Sequence, residues 1–209
     1  MVQTKIKICG LRTPEDVRIV NRYRPDYAGF ICCARFWRYV PKEDLKLLAK
    51  MIAPNIRKVG VFVDNPAEEV STYIKEGLID DVQLHGQEDE EYIKKLRLLC
   101  RKEDGSDVHI IKAFRIQGPQ DITRARLSSS DFILLDGGQG SGKTFDWRLI
   151  RNIGRNYFLA GGLNPDNLEK AVSQYRPYAV DISSGVETDR HKDESKVKRV
   201  IEIIRGGRI

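Results

Sequence analysis

The chain is poor in the residues that cross-link a fold or hold a metal. Its 209 residues include four cysteines and three histidines, and Cys9, Cys32, Cys33 and Cys100 form no C-x-x-C pair. The one close pair, Cys32 and Cys33, is vicinal, which suits neither a disulfide framework nor a zinc site. Reduced thiols and no bound metal are therefore expected. No run approaches the roughly 18 apolar residues of a membrane span, and the apolar stretch after Met1 is too short for a signal-peptide core. The expectation is a free-standing cytoplasmic protein with no membrane partner. The first apolar run ends in Cys9-Gly10-Leu11 with no G-x-G-x-x-G, which removes the usual entry to a dinucleotide fold. The net charge of +6 would suit nucleic acid or an anionic small molecule. The basic residues, however, are spread over helical stretches with acidic neighbours, as at 91–97 and 196–199. Solvated helix faces account for them, and no nucleic-acid partner is expected.

What the chain does contain is a regular alternation. Short apolar runs at 6–9, 27–32, 58–63, 81–84, 109–114, 132–136, 157–160 and 179–182 alternate with segments of helical period at 14–22, 42–53, 66–76, 88–99, 119–126, 147–153, 165–173 and 192–204. Several of these segments open on a start signal: Thr13 before Pro14, Asn65 before Pro66, Asn164 before Pro165. Runs such as Val59-Gly60-Val61-Phe62-Val63 show no apolar–polar alternation, as expected of strands buried on both faces. Eight such repeats predict a single-domain (β/α)8 TIM barrel over residues 1–209. Function in that fold lies at the carboxyl ends of the strands. The candidates there are Cys9, the segment 35–38, Asp64, His85, Lys112, Asp136, Gly161, Gly162, Asp181, Ser183 and Ser184. His109, at the opposite end of its strand, and His191, in a charged loop, are expected to be structural or solvent-facing.

Two of those strand ends read Leu159-Ala160-Gly161-Gly162-Leu163-Asn164-Pro165 and Val180-Asp181-Ile182-Ser183-Ser184-Gly185-Val186-Glu187. Small residues after a buried strand leave backbone N–H groups bare, and the loops after strands seven and eight are where a TIM barrel binds phosphate. Gly161, Gly162, Ser183, Ser184 and Gly185 are the expected phosphate site. A second phosphate signal lies at 137–144, where Gly-Gly-Gln-Gly-Ser-Gly-Lys-Thr satisfies the P-loop pattern. A P-loop needs a helix that begins at its Lys-Thr pair, whereas here Phe145-Asp146-Trp147 follows and Asp146 has the character of the cap. A glycine-rich active-site loop, with a lid role, is the expectation there.

In chain order these strand ends resemble the phosphoribosylanthranilate isomerase family of tryptophan biosynthesis, which carries out an Amadori rearrangement. The resemblance rests on Lys7-Ile8-Cys9-Gly10, Val82-Gln83-Leu84-His85-Gly86, Leu134-Leu135-Asp136 with the glycine stretch and Phe145-Asp146-Trp147, the two loops just quoted, and Lys192-Asp193. It departs after strand two, where the family's Ser-Pro-Arg-like segment is replaced by Phe36-Trp37-Arg38-Tyr39-Val40. That departure is expected to alter the anthranilate end of the pocket.

The resemblance implies N-(5-phosphoribosyl)anthranilate as substrate and 1-(2-carboxyphenylamino)-1-deoxyribulose 5-phosphate as product. Ring opening needs a proton for the ring oxygen and the next step removes one from carbon 2, so an acid and a base are required. Asp136 resembles the family's acid and Cys9 its base. Arg38 is the expected partner of the anthranilate carboxylate, since a guanidinium fork fits a planar carboxylate. His85 and Asp181 are expected to contact substrate. No cofactor is implied, because the substrate's own nitrogen is the electron sink. Monomer and homodimer both stay open. The rival readings are another phosphosugar barrel (indole-glycerol phosphate synthase or a histidine-pathway isomerase, with a carboxylate or lysine on the first strand), a nucleotide-binding protein and a non-catalytic phosphate binder.

Overall fold

The structure, a computed structural model, describes residues 3–101, 107–137, 146–150 and 153–206. In chain order it contains β1 (Lys5–Cys9), α1 (Pro14–Tyr23), β2 (Tyr27–Ile31), α2 (Lys42–Met51), β3 (Arg57–Phe62), α3 (Ala67–Lys75), β4 (Asp81–Leu84), α4 (Glu90–Leu99), β5 (Ile110–Arg115), α5 (Pro119–Leu127) and β6 (Phe132–Asp136). A 3-10 turn (Trp147–Ile150) precedes β7 (Tyr157–Leu159), α6 (Leu168–Tyr175) and β8 (Ala179–Ile182). A second 3-10 turn (Ser184–Val186), β9 (Glu187–Thr188), β10 (His191–Lys192) and α7 (Glu194–Arg205) complete the order. Each of the first seven strands pairs in parallel with the next, and β1 pairs in parallel with β8, which closes a TIM barrel.

The strands are apolar on both faces because each face has its own core. Inside the barrel, Tyr27, Val59, Ile111, Leu134, Phe158 and Ala179 pack together, with Phe132 stacked on Tyr178 at a centroid distance of 4.6 Å. Outside, Ile6, Ile8, Phe30, Val82, Leu84, Ile133 and Val180 join the helices in a larger cluster. Between these layers the alternation of the strands decides which side chains reach the mouth.

Several expected boundaries shift for local reasons. Thr13 caps α1 as expected: its hydroxyl accepts from the Asp16 N–H at 3.1 Å, and Asp16 accepts in return from the Thr13 N–H at 3.0 Å. Asn65 and Asn164 do not cap their helices. Pro66 is extended and itself occupies the position before α3. Asn164 accepts from the Asp166 and Asn167 N–H groups in a turn that delays α6 to Leu168. The helix expected over 147–153 is, among the described residues, only a four-residue 3-10 turn, which Asp146 caps through the Arg148 N–H at 3.0 Å. Lys192, expected to open the last helix, belongs to β10 opposite Glu187. The glycine stretch at 138–144 lies outside the described residues.

Candidate active site

At the carboxyl end of β1 the strand alternation turns Lys7 and Cys9 into the barrel, while Ile6 and Ile8 face the helices. Cys9 is buried, and Gly10 follows it at φ +80°. A Cβ on Gly10 would lie 2.6 Å from Arg38 Cδ and 3.1 Å from Ser183 Oγ. Glycine is required there, because the loops after β1, β2 and β8 converge on its bare Cα. Burial pushes the Cys9 thiol up, and the nearby charges of Lys7 and Lys192 act in the opposite direction.

Asp181, on β8, receives the Lys7 ammonium at 2.9 Å. Arg38 spends one edge of its guanidinium on Glu187, with Nε and Nη2 donating at 3.0 and 2.7 Å. Glu187 also accepts from Lys192 Nζ at 2.6 Å, and the same ammonium donates to the Ser183 carbonyl at 3.2 Å. Burial opposes ionisation of Glu187, but Arg38 and Lys192 together hold it below the usual carboxylate range. Trp37 lies against this group: its ring is 4.1 Å from the Arg38 guanidinium carbon, 4.7 Å from that of Arg12 and 5.4 Å from that of Arg190. The aromatic departure after β2 thus sets an indole ring against the arginine, with Phe36 and Trp37 both exposed to solvent.

Across the barrel, Asp136 ends β6, three strands from β1 around the sheet. His85 follows β4, and its Nε2 stands 3.5 Å from Asp136 Oδ2. Gln83, buried on β4, places its amide nitrogen 3.0 Å from His85 Nδ1. In that arrangement the amide donates, so a neutral imidazole carries its proton on Nε2, toward Asp136. Gln83 Oε1 is buried with no hydrogen-bond partner among the described residues. Gly161, at φ +87°, comes close beneath Asp136, since a Cβ there would stand 2.6 Å from Oδ1.

The loops after β7 and β8 touch directly: a Cβ on Gly185 would run into the Leu163 carbonyl oxygen. Asn167 Nδ2 donates to the Gly162 carbonyl at 2.9 Å and braces the first loop. Among the described residues, the N–H groups of Gly162, Ser184 and Gly185 donate to no backbone carbonyl, which leaves them for an anion.

The structure thus gathers Cys9, Arg38, Asp181 and Ser183 on one side of the mouth and His85, Asp136 and Gly161 on the other. Asp64 and Lys112 do not join them. Lys112 donates to the Gly86 carbonyl at 2.8 Å and to Glu88 at 2.9 Å, and Asp64 accepts from the Gln87 N–H at 2.6 Å and from Arg35 at 3.1 Å; both tie loops together. Lys7, Gln83, Glu187 and Lys192 escaped the sequence reading as functional residues. Lys7 had a usable signal, a lysine at the inward phase of an apolar strand. Among the described residues no group of three or more His, Cys, Asp or Glu side chains could hold a metal, and no helix is long and apolar enough to cross a membrane.

Residues 6–203 match the family model described as N-(5'-phosphoribosyl)anthranilate isomerase. The protein of that name from Acetivibrio thermocellus is 40% identical over 210 residues, covering 97% of this chain and 96% of its own. A dimeric phosphoribosylanthranilate isomerase from Thermotoga maritima, solved as monomers, superposes with a TM-score of 0.85 at 34% identity, covering 97% of this chain and 99% of that one. A structure of such an isomerase in complex with reduced 1-(o-carboxyphenylamino)-1-deoxyribulose 5-phosphate gives the same TM-score at 33% identity and the same coverage.

Proposed function

The chain belongs to the N-(5'-phosphoribosyl)anthranilate isomerase family and is an isomerase of tryptophan biosynthesis, and from that premise we propose that Cys9 is its general base and Asp136 its general acid. The observation that carries this reading is the grouping of a thiol on β1, a carboxyl on β6 and bare amides after β7 and β8 at one end of a closed barrel. Asp136 gives a proton to the ribose ring oxygen as the carbon 1–oxygen bond breaks, which leaves a protonated imine on the anthranilate nitrogen. The Cys9 thiolate takes the proton from carbon 2, and the released electron pair forms the carbon 1–carbon 2 double bond and neutralises the nitrogen. As this enolamine becomes the aminoketone, the Cys9 thiol gives its proton to carbon 1 and the carbon 2 hydroxyl proton passes to Asp136, which returns both side chains to their starting states.

The remaining groups serve binding. The Nε–Nη2 edge of Arg38 is held by Glu187, so the anthranilate carboxylate meets the other edge, beside Trp37. His85, proton on Nε2, orients Asp136. The amides of Gly162, Ser184 and Gly185 take the phosphate. The substrate is a small molecule, and its nitrogen makes an added cofactor unnecessary.

The test is the loss of anthranilate fluorescence as freshly generated phosphoribosylanthranilate is converted. The unmodified chain turns it over, and Asp136→Asn lowers kcat by about 10²–10⁴-fold. Full activity in Asp136→Asn would remove the assigned acid. Gly185→Ala probes the phosphate cradle separately. Its methyl must push the loop after β8 away from Leu163, so KM should rise about tenfold while kcat changes far less. An unchanged KM would place the phosphate elsewhere.

A further inference from the structure

The mouth of the barrel buries an ammonium that the acid–base chemistry above does not use. Lys7 precedes Cys9 by two residues on β1, so both side chains enter the barrel interior. Lys7 is 0% exposed, and its Nζ is 2.9 Å from Asp181 Oδ1. Such a charge is disfavoured unless it is compensated. On β2, Gly29 stands in register with Cys9. A Cβ on Gly29 would lie 2.7 Å from Cys9 Sγ and 3.1 Å from Lys7 Cε. The missing side chain of Gly29 is what lets the thiol and the lysine stem lie side by side.

The groups around Cys9 come from every neighbouring element. They are Lys7 on its own strand, Asp181 on β8, Lys192 on β10 and Cys32 just after β2, with Glu187 and Arg38 beyond Lys192. Of the two ammonium groups, that of Lys192 is committed to Glu187 at 2.6 Å and to the Ser183 carbonyl. That of Lys7 has a single carboxylate partner. Burial works against the charge on Lys7, yet Asp181 and Cys9 outweigh it and hold the ammonium protonated. Cys9, by contrast, is pushed up by burial, and a base that must be a thiolate needs a countercharge beside it.

We propose that Lys7 is a positioning residue for Cys9: its ammonium, fixed by Asp181 across the β1–β8 pairing, supplies the countercharge for the thiolate that removes the carbon 2 proton. This rests on the reading of Cys9 as the base. Lys7 keeps its protons throughout; the carbon 2 proton goes to sulfur, and the electron pair goes into the carbon 1–carbon 2 bond. Asp181 then acts on Lys7 and sets how much of the ammonium's field reaches the thiol.

The experiment follows alkylation of Cys9 by iodoacetamide as a function of pH in Lys7→Met and Asp181→Asn, with Cys9→Ala as the blank, beside the pH profiles of kcat and KM. Lys7→Met should move the alkylation midpoint up by about one pH unit or more, with kcat near neutrality about tenfold lower and KM within about threefold. Asp181→Asn leaves the ammonium to Cys9 and should move the midpoint down. Opposite displacements are the signature of a countercharge and are not produced by a packing role. Midpoints that stay put, or that move in the same direction, overturn the proposal. Should Lys7→Met fail to fold, Lys7→Gln stands in for it: an upward move of its midpoint supports the proposal, and no move or a downward one overturns it. Undiminished turnover in Cys9→Ala would instead sink the base assignment itself, so the two failures are distinguishable.

Discussion

Replacing Cys9 by alanine is expected to lower kcat by about 10²–10⁴-fold while KM stays within a few-fold, the pattern left when a general base is removed. The reason lies in how little else at that end of β1 can take a proton. Lys7 is held as an ammonium by Asp181, and Lys192 is bound to Glu187 and the Ser183 carbonyl. Asp181 is itself occupied by Lys7. That leaves the thiol, whose anion the Lys7 ammonium favours against burial, to take the carbon 2 proton. Burial pushes the thiol up, so near neutrality the thiolate is the minor form and the rate on the acid side should climb with pH, close to tenfold per unit. Cys9→Ser sharpens the test, because a serine hydroxyl keeps the size and the hydrogen bonding and gives up the accessible anion. If Cys9→Ser retained most of the turnover, hydrogen bonding would be the role of position 9 and the base would have to be sought on the other side, at His85.

The fold was largely legible because a barrel strand carries its own signature. Eight short strand-like runs match the eight barrel strands to within a residue at each end, and those such as 59–63 lack alternation because both faces of the strand are covered. The misplaced helix starts have local causes: Pro66, read as the first helical residue, is extended and stands just outside α3, and the Asn164 turn delays α6 to Leu168. The candidate site was legible only where one position carries the chemistry. Cys9, His85, Asp136 and Asp181 sit at strand ends and could be picked out one at a time. The group built from Arg38, Glu187 and Lys192 could not, because its members come from loops 149 residues apart in the chain. Their meaning exists only as contacts. Trp37 shows the same limit from the other side. As a letter it is an intrusion into a pocket, whereas in the structure its ring lies close to Arg12, Arg38 and Arg190 and is exposed.

Asp81→Asn should cost about 2–3 kcal/mol of stability, or roughly 4–12 °C in Tm. Asp81 opens β4 at the end of the barrel away from the mouth, and its side chain is 1% exposed. It takes Arg57 in a fork, with Nε at 2.7 Å and Nη2 at 2.5 Å, and the His109 N–H and ring Nδ1 at 2.9 and 3.1 Å. Arg57 and His109 each leave about a third of their side chains in water. Solvent therefore weakens the pairing below the ~3–5 kcal/mol of a fully buried one. The pH dependence gives the effect a signature. Burial opposes ionisation of Asp81, but the hydrogen bonds from Arg57 and His109 bring it below the usual carboxylate range. A depressed carboxylate stabilises the fold above its unfolded value of about 3.9, and that contribution is lost as pH falls through the folded value. Asp81 in turn raises His109. A raised imidazole contributes fully below its unfolded value of about 6.5, and the contribution is lost as pH rises through the folded one. The difference between the unmodified chain and Asp81→Asn should therefore be widest between about pH 4 and 6.5 and shrink on both sides. Urea unfolding at pH 3, 5.5 and 8.5 would measure it, and a difference that stays constant across the three would mean that Asp81 holds the barrel base through shape, with its charge playing no part.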